Sequence, residues 1–307
     1  MSEAQRPAWV VDLQKALATR FRIEGELGRG NMGRVFLATD ARSGARVAVK
    51  ALPPELASAA NAGRFVREIR IAGGLAHPNI LPILESGNDG AVAWFAMPLL
   101  EGGSLRTRLA AGPLPLAEIA GFAGDVLDAL GHAHERGIIH RDLKPENVMR
   151  AAADSPWVVL DFGLARALEG ETRITGLNMP LGTPAYMSPE QISGAATVDA
   201  RADIYGFGCV LYEAVTGRPP FGGRTVVDLL RAQLTTDPPP PSQARAEVPR
   251  ALDPVVLKAL AKQADQRYPT VAALRTDCLA ALGSLAGPAA APPATGWLAR
   301  LFGRSAR

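Results

Sequence analysis

A chain of 307 residues with 48% hydrophobic and 21% charged side chains has ordinary globular composition, with apolar matter for one large domain or two lobes around a cleft. The net charge of +3 resides wholly in Arg300, Arg304 and Arg307 of an acid-free tail over 284–307, which leaves residues 1–283 with 30 basic against 30 acidic groups. A neutral body argues against a nucleic-acid binder, and two distant cysteines, Cys209 and Cys278, argue against a disulfide or zinc framework and suit a reducing cytoplasm.

In chain order, residues 1–20 predict a short helical lead-in, with Trp9, Val10, Leu13 and Leu17 at helical spacing. Short, partly alternating runs follow at Phe21–Leu27, Arg34–Thr39 and Arg46–Leu52, separated by a glycine-rich turn and by Ser43-Gly44. A helix is expected over 61–75, with Phe65, Ile69 and Ala72 inward, then two strands at Ile80–Leu84 and Val92–Met97. This makes a five-stranded lobe over about 21–100. After Glu101-Gly102-Gly103 the pattern becomes helical, most clearly at 116–134, where Ile119, Phe122, Val126, Leu130 and Ala133 recur every three or four residues. Further helices are predicted near 200–217, 225–236, 252–262 and 270–282, completing a second lobe over about 101–283. The apolar stretch Ile204–Val215 is interrupted by Gly206, Gly208 and Glu213, so it reads as a buried helix; no run approaches the roughly 20 apolar residues of a membrane span. No Arg-led apolar leader opens the chain, and the expected location is cytoplasmic. Residues 284–307 read as an Ala/Pro-rich linker and a basic amphipathic tail. Its Trp297, Leu298, Leu301 and Phe302 oppose the arginines, which suits an anionic membrane surface, a partner contact through 296–307, docking onto the chain's own body, or a frayed end.

Four segments carry chemistry. Leu27 precedes Gly28-Arg29-Gly30-Asn31-Met32-Gly33-Arg34-Val35, a GxGxxGxV run whose backbone N–H groups can close over phosphates without a Cβ in the way. A tight hairpin accounts for the same glycines. The dinucleotide-binding form opens a helix, whereas Val35-Phe36-Leu37 continues as strand, which excludes that class. Val47-Ala48-Val49-Lys50 puts a lysine in an apolar strand, where it needs a partner or a route to solvent; Glu68 on the next helix offers the partner. His140-Arg141-Asp142-Leu143-Lys144-Pro145-Glu146-Asn147 is far denser in polar function than a surface loop requires. Asp161-Phe162-Gly163 follows 19 residues after Asp142, at the end of the apolar strand Trp157–Leu160.

The His140–Asn147 segment resembles the catalytic loop of the eukaryotic-like serine/threonine protein kinases, and the resemblance runs from about Phe21 to Leu282, closest to bacterial members. It implies an α+β, bilobal protein-kinase-like fold, with a small antiparallel sheet lobe carrying one main helix and a larger helical lobe. It also implies ATP with Mg²⁺ (Mn²⁺ able to stand in) and protein substrates bearing serine or threonine. By the same resemblance Asp142 accepts the hydroxyl proton, Lys144 marks the serine/threonine type, Lys50 paired with Glu68 contacts the phosphates, and Asn147 and Asp161 hold metal. The nucleotide would lie between the glycine run, Leu27, Val35, Ala48 and Met149. Met97 would stand at the back of the pocket, and the hinge would use the carbonyl of Pro98 and the N–H of Leu100. Arg141 would receive a phosphate on Thr172 or Thr175, with autophosphorylation expected there. His140, Phe162, Gly163, Thr183, Asp203 and a Glu190–Arg267 pair would be structural supports; Ser188-Pro189-Glu190 stands where the family often has Ala-Pro-Glu. A non-catalytic relative would be expected to lack Lys50, Asp142 or Asp161. A small-molecule kinase would usually lack the Gly182-Thr183-Pro184 to Glu190 segment.

Overall fold

The computed structural model describes residues 7–17, 19–30, 33–52, 59–88, 92–163 and 183–283. Asn31, Met32, Thr172, Thr175 and the tail over 284–307 lie outside the described residues. The first lobe is a sheet of β1 (Phe21–Gly30), β2 (Gly33–Asp40), β3 (Arg46–Ala51), β4 (Glu85–Asn88) and β5 (Ala93–Pro98) in the order β1-β2-β3-β5-β4, every neighbour antiparallel. Helix α1 (Ala8–Leu17) covers one face, where Trp9, Val10, Leu13 and Leu17 pack with Phe21, Phe36, Val47, Val49 and Trp94. Helix α2 (Ala59–Ala72) covers the other, and Phe65 and Ile69 join Ala48, Leu52, Phe95 and Met97. Because both faces of β3 are covered, its apolar residues run without alternation, and Lys50 is carried into the interior among them.

The sequence predicts a strand at Ile80–Leu84, and the structure places the strand at Glu85–Asn88 instead. The backbone of 79–81 pairs elsewhere: Leu81 N donates to Val159 O at 3.0 Å, and Val159 N donates to Asn79 O at 2.8 Å. Those bonds stitch the first lobe to β7 (Trp157–Val159), which lies beside β6 (Val148–Arg150) in the second. A short apolar run fits a sheet edge and an interlobe stitch equally well, so local pattern could not separate them.

The second lobe is built on α4 (Leu116–His134), whose buried positions Ile119, Phe122, Val126, Leu130 and Ala133 are those of the predicted stripe. Before it lies α3 (Leu105–Leu109); after it come α5 (Pro189–Ile192), α6 (Arg201–Thr216), α7 (Val226–Thr235), α8 (Pro241–Ala244), α9 (Leu252–Ala259) and α10 (Val271–Leu282). Every residue of α6 from Ala202 to Val215 is buried, as expected of a helix apolar all round. It stops at Gly217, in the left-handed region at φ 82°, where a β-carbon would also meet Pro113. The short α3, α5, α8 and β6 escaped prediction, since three to five residues carry no period. No helix among the described residues is long and apolar enough to cross a membrane.

Candidate active site

The site is suspended from one buried carboxylate. Asp203, in the first turn of α6, is 1% exposed. It accepts hydrogen bonds from the backbone N–H groups of His140 and Arg141, both at 2.8 Å, and lies 2.7 Å from His134 Nε2. Burial works to raise this carboxyl, but the hydrogen bond and charge of His134 and the N–H of His140 hold it below its ordinary range. The load on these bonds is visible in the backbone of Arg141, at φ 66°; Asp161, at φ 62°, is also left-handed. They are the non-glycine residues with positive φ among the described residues, and such backbone stores about 1–3 kcal/mol each. Two charge-assisted bonds to Asp203, each worth about 1.5–3 kcal/mol, outweigh that strain at Arg141.

His140 couples the loop to the strand behind it. Its Nε2–H donates to Leu160 O at 2.7 Å, which leaves Nδ1 to accept from Asp142 N at 3.2 Å, and its ring meets Phe162 edge-on at 4.8 Å. Asp142 therefore sits on a loop tied at both ends. Its carboxylate lies 2.6 Å from Lys144 Nζ, and Asn147 Nδ2 donates to Asp142 O at 2.8 Å and to Asp142 Oδ2 at 3.3 Å. With its amide nitrogen so used, Asn147 presents Oδ1 as a free oxygen donor. Together with the Asp161 carboxylate this is the hard-oxygen chemistry that suits a small divalent cation.

One predicted pair is corrected. The Lys50 ammonium meets Asp161 Oδ2 at 2.6 Å, and Glu68 makes no ion pair with it. Glu68 Oε2 instead lies 3.6 Å from the point a β-carbon on Gly163 would occupy. A buried ammonium pairs with whichever carboxylate the backbone delivers, and the left-handed turn at Asp161 delivers that one.

The walls of the cleft follow from register. Ala48 stands opposite Met97, and Lys50 stands opposite Phe95 on one side and Val35 on the other. Val35, Leu100 and Met149 pack against the cluster that holds Ala48 and Met97. Pro98 ends β5 opposite Val47. Leu27 departs from this grouping: it is 51% exposed, on a β1 strand that slips register between Glu26 and Gly28. Gly33, at φ 138°, cannot be replaced, since a β-carbon would stand 2.5 Å from Ala51 O.

Beyond the His140–Asn147 loop, Arg267 forms the expected pair with Glu190, with two contacts of 2.7 Å. Burial opposes ionisation of Glu190, but Arg267 holds its carboxyl below the ordinary value. Gln191 on α5 donates to Arg141 O at 2.7 Å, and Gln233 donates to Pro184 O and Ala185 O at 3.2 and 2.5 Å. Gln191 thus ties α5 to the loop, and Gln233 ties the turn Thr183–Tyr186 to α7. Sequence reasoning missed Gln191, Gln233 and a network in which Arg106 reaches Glu146 at 2.8 Å, Glu213 at 2.6 Å and the Tyr186 hydroxyl. Glu213 was the available signal: a carboxylate inside an apolar helix must be answered by a cation.

The protein kinase domain family matches this chain over residues 21–278. The serine/threonine-protein kinase PknB of Mycobacterium leprae is 40% identical over 269 residues, covering 86% of this chain and 43% of PknB. Pkn1 of Myxococcus xanthus, also a serine/threonine-protein kinase, is 39% identical over 271 residues, covering 85% and 38%. The chain thus spans less than half the length of the curated relatives it matches. Among solved structures, a mutant of the Mycobacterium tuberculosis PknI kinase domain superposes with a TM-score of 0.66 at 28% identity, covering 87% of this chain and 96% of that one. On the match across most of its length, the chain belongs to the protein kinase family, whose members draw on ATP and a divalent cation.

Proposed function

We propose that this chain transfers the γ-phosphoryl group of ATP to serine and threonine hydroxyls of other proteins, with Mg²⁺ as the metal. The observation that carries the reading is the Asp142 carboxylate, held 2.6 Å from the Lys144 ammonium on a loop strung from Asp203. Asp142 orients the acceptor hydroxyl and takes its proton; Lys144 offsets charge on the moving phosphoryl group. Lys50, kept in place by Asp161, meets the phosphate oxygens. Asn147 and Asp161 would hold the cation, which neutralises phosphate charge when bound. Little covalent chemistry is asked of the protein: positioning and electrostatics supply the rate. Proteins rather than small molecules are the acceptors because the Thr183–Glu190 segment is bonded to the catalytic loop through Gln191, which builds a surface next to Asp142.

The test is incorporation of labelled phosphate from Mg·ATP into a generic protein acceptor, followed by phosphoamino-acid analysis. The wild type labels serine and threonine. Asp142→Asn loses about 10²–10⁴ in rate while nucleotide affinity stays within a few-fold. Turnover near the wild-type rate, or label confined to tyrosine, would sink the reading.

A further inference from the structure

Helix α1 lies outside the stretch that matches the family, yet it is built into the first lobe. On β3, Val47 and Val49 face α1, while the alternate residues Ala48 and Lys50 face the cleft. On β2, Phe36 faces α1, and Val35 faces the cleft. The helix therefore backs the very strands whose opposite face forms the nucleotide wall. Four contacts make the backing specific. The Trp9 ring meets Phe36 edge-on at 5.8 Å, and the Arg34 guanidinium sits over the same ring at 5.1 Å. Gln14 accepts from Ile23 N at 2.8 Å and donates to Phe21 O at 3.3 Å, which pins the start of β1. Trp9 thus grips the two residues that flank Val35.

The geometry points to Trp9 as a positioning residue for nucleotide binding: docked α1 sets the pose of β1 and β2 over the phosphates. A ten-residue helix is marginal in water, so α1 holds its form through this docking. Docking and nucleotide binding are then two ligations of one element. By linkage each strengthens the other by the same factor. The inference rests on the reading of the cleft as the ATP site.

Two measurements on the full chain test it. In steady-state kinetics Trp9→Ala raises KM for ATP about fivefold, the scale of a lost cation–π contact, with kcat per active molecule within twofold. Trp9→Phe keeps the ring, removes an indole N–H that is buried without a partner, and restores KM to within twofold. A merely structural role would lower the active fraction, and hence apparent kcat, with KM unchanged. The second measurement needs no variant. Saturating Mg with a non-hydrolysable ATP analogue slows hydrogen exchange of the α1 amides about fivefold in the wild type. An unchanged KM in Trp9→Ala, or α1 exchange indifferent to the nucleotide, overturns the proposal. Absence of ATP turnover in the wild type would instead strike the reading of the cleft itself.

Discussion

Replacing Asp203 by asparagine isolates the carboxylate on which the His140–Asn147 loop hangs. Its two oxygens serve separate amides, His140 N on Oδ2 and Arg141 N on Oδ1, and Oδ2 also meets His134. Asparagine keeps one oxygen and turns an NH₂ toward the other amide, so at least one buried donor is orphaned. That orphan costs about 1–3 kcal/mol, and loss of charge from the surviving bonds adds about 1–2 kcal/mol. A total of about 2–5 kcal/mol falls within a typical domain stability of about 5–15 kcal/mol, so the variant remains folded at 25 °C. Arg141, no longer held at φ 66°, relaxes toward ordinary backbone and carries Asp142 with it. A displacement of about 1 Å in such a group reduces rate about 10²-fold. Urea unfolding reads the first effect and labelled phosphate transfer the second, with KM for ATP expected within threefold because Lys50 and Asp161 lie on other elements. The pH dependence has a definite sign. A carboxyl lowered in the folded state contributes stability above its unfolded value and loses it as pH falls through the folded one, so the gap between wild type and variant narrows in acid, below about pH 4. A wild-type kcat in a variant destabilised as expected would refute the claim that this carboxylate positions Asp142.

Three further outcomes are expected. Glu190→Ala leaves the Arg267 guanidinium buried without its anion and loses about 3–5 kcal/mol in urea unfolding, while Glu190→Gln, which keeps an acceptor, loses less than half of that; equal losses would deny the pair its role. Asp125, which accepts from Trp157 N at 2.8 Å, is pushed up by burial to about 6, above its unfolded value; wild-type stability therefore falls by about 2–3 kcal/mol as pH rises from 4 to 7. Asp125→Asn removes that decline, and parallel pH profiles for the two proteins would show that Asp125 is not its source. After incubation with Mg·ATP, mass spectrometry of the wild type places phosphate on Thr172 or Thr175, and phosphate found only outside 164–182 would reject control through that segment.

The geometry of the His140–Asn147 loop was legible because its polar side chains stand at short, fixed intervals. Asp142, Lys144 and Asn147 lie within six residues, and their mutual bonds are local consequences of that spacing. The stripe of α4 and the uniform apolarity of α6 were legible for a related reason, since burial on one face or on all faces writes its own period. The pairing of Lys50 was not. Glu68 and Asp161 are both acids within plausible reach, and only the left-handed backbone at Asp161 decides between them. The segment 80–84 is apolar enough for a strand, but Leu81 N was claimed by β7 across the lobes, Ile80 N by His77 O and Leu84 N by β5, so no single neighbour pairs it as a strand. The Arg106 network joins residues up to 107 positions apart, a distance over which sequence carries no geometric information. For Trp9, helical spacing announced a buried ring. That the ring rests on Arg34 and Phe36, behind the strands that wall the cleft, was decided by how α1 docks on the sheet. Local chemistry could be read from adjacent residues; which partner each buried charge or ring finally meets depended on packing between elements distant in the chain.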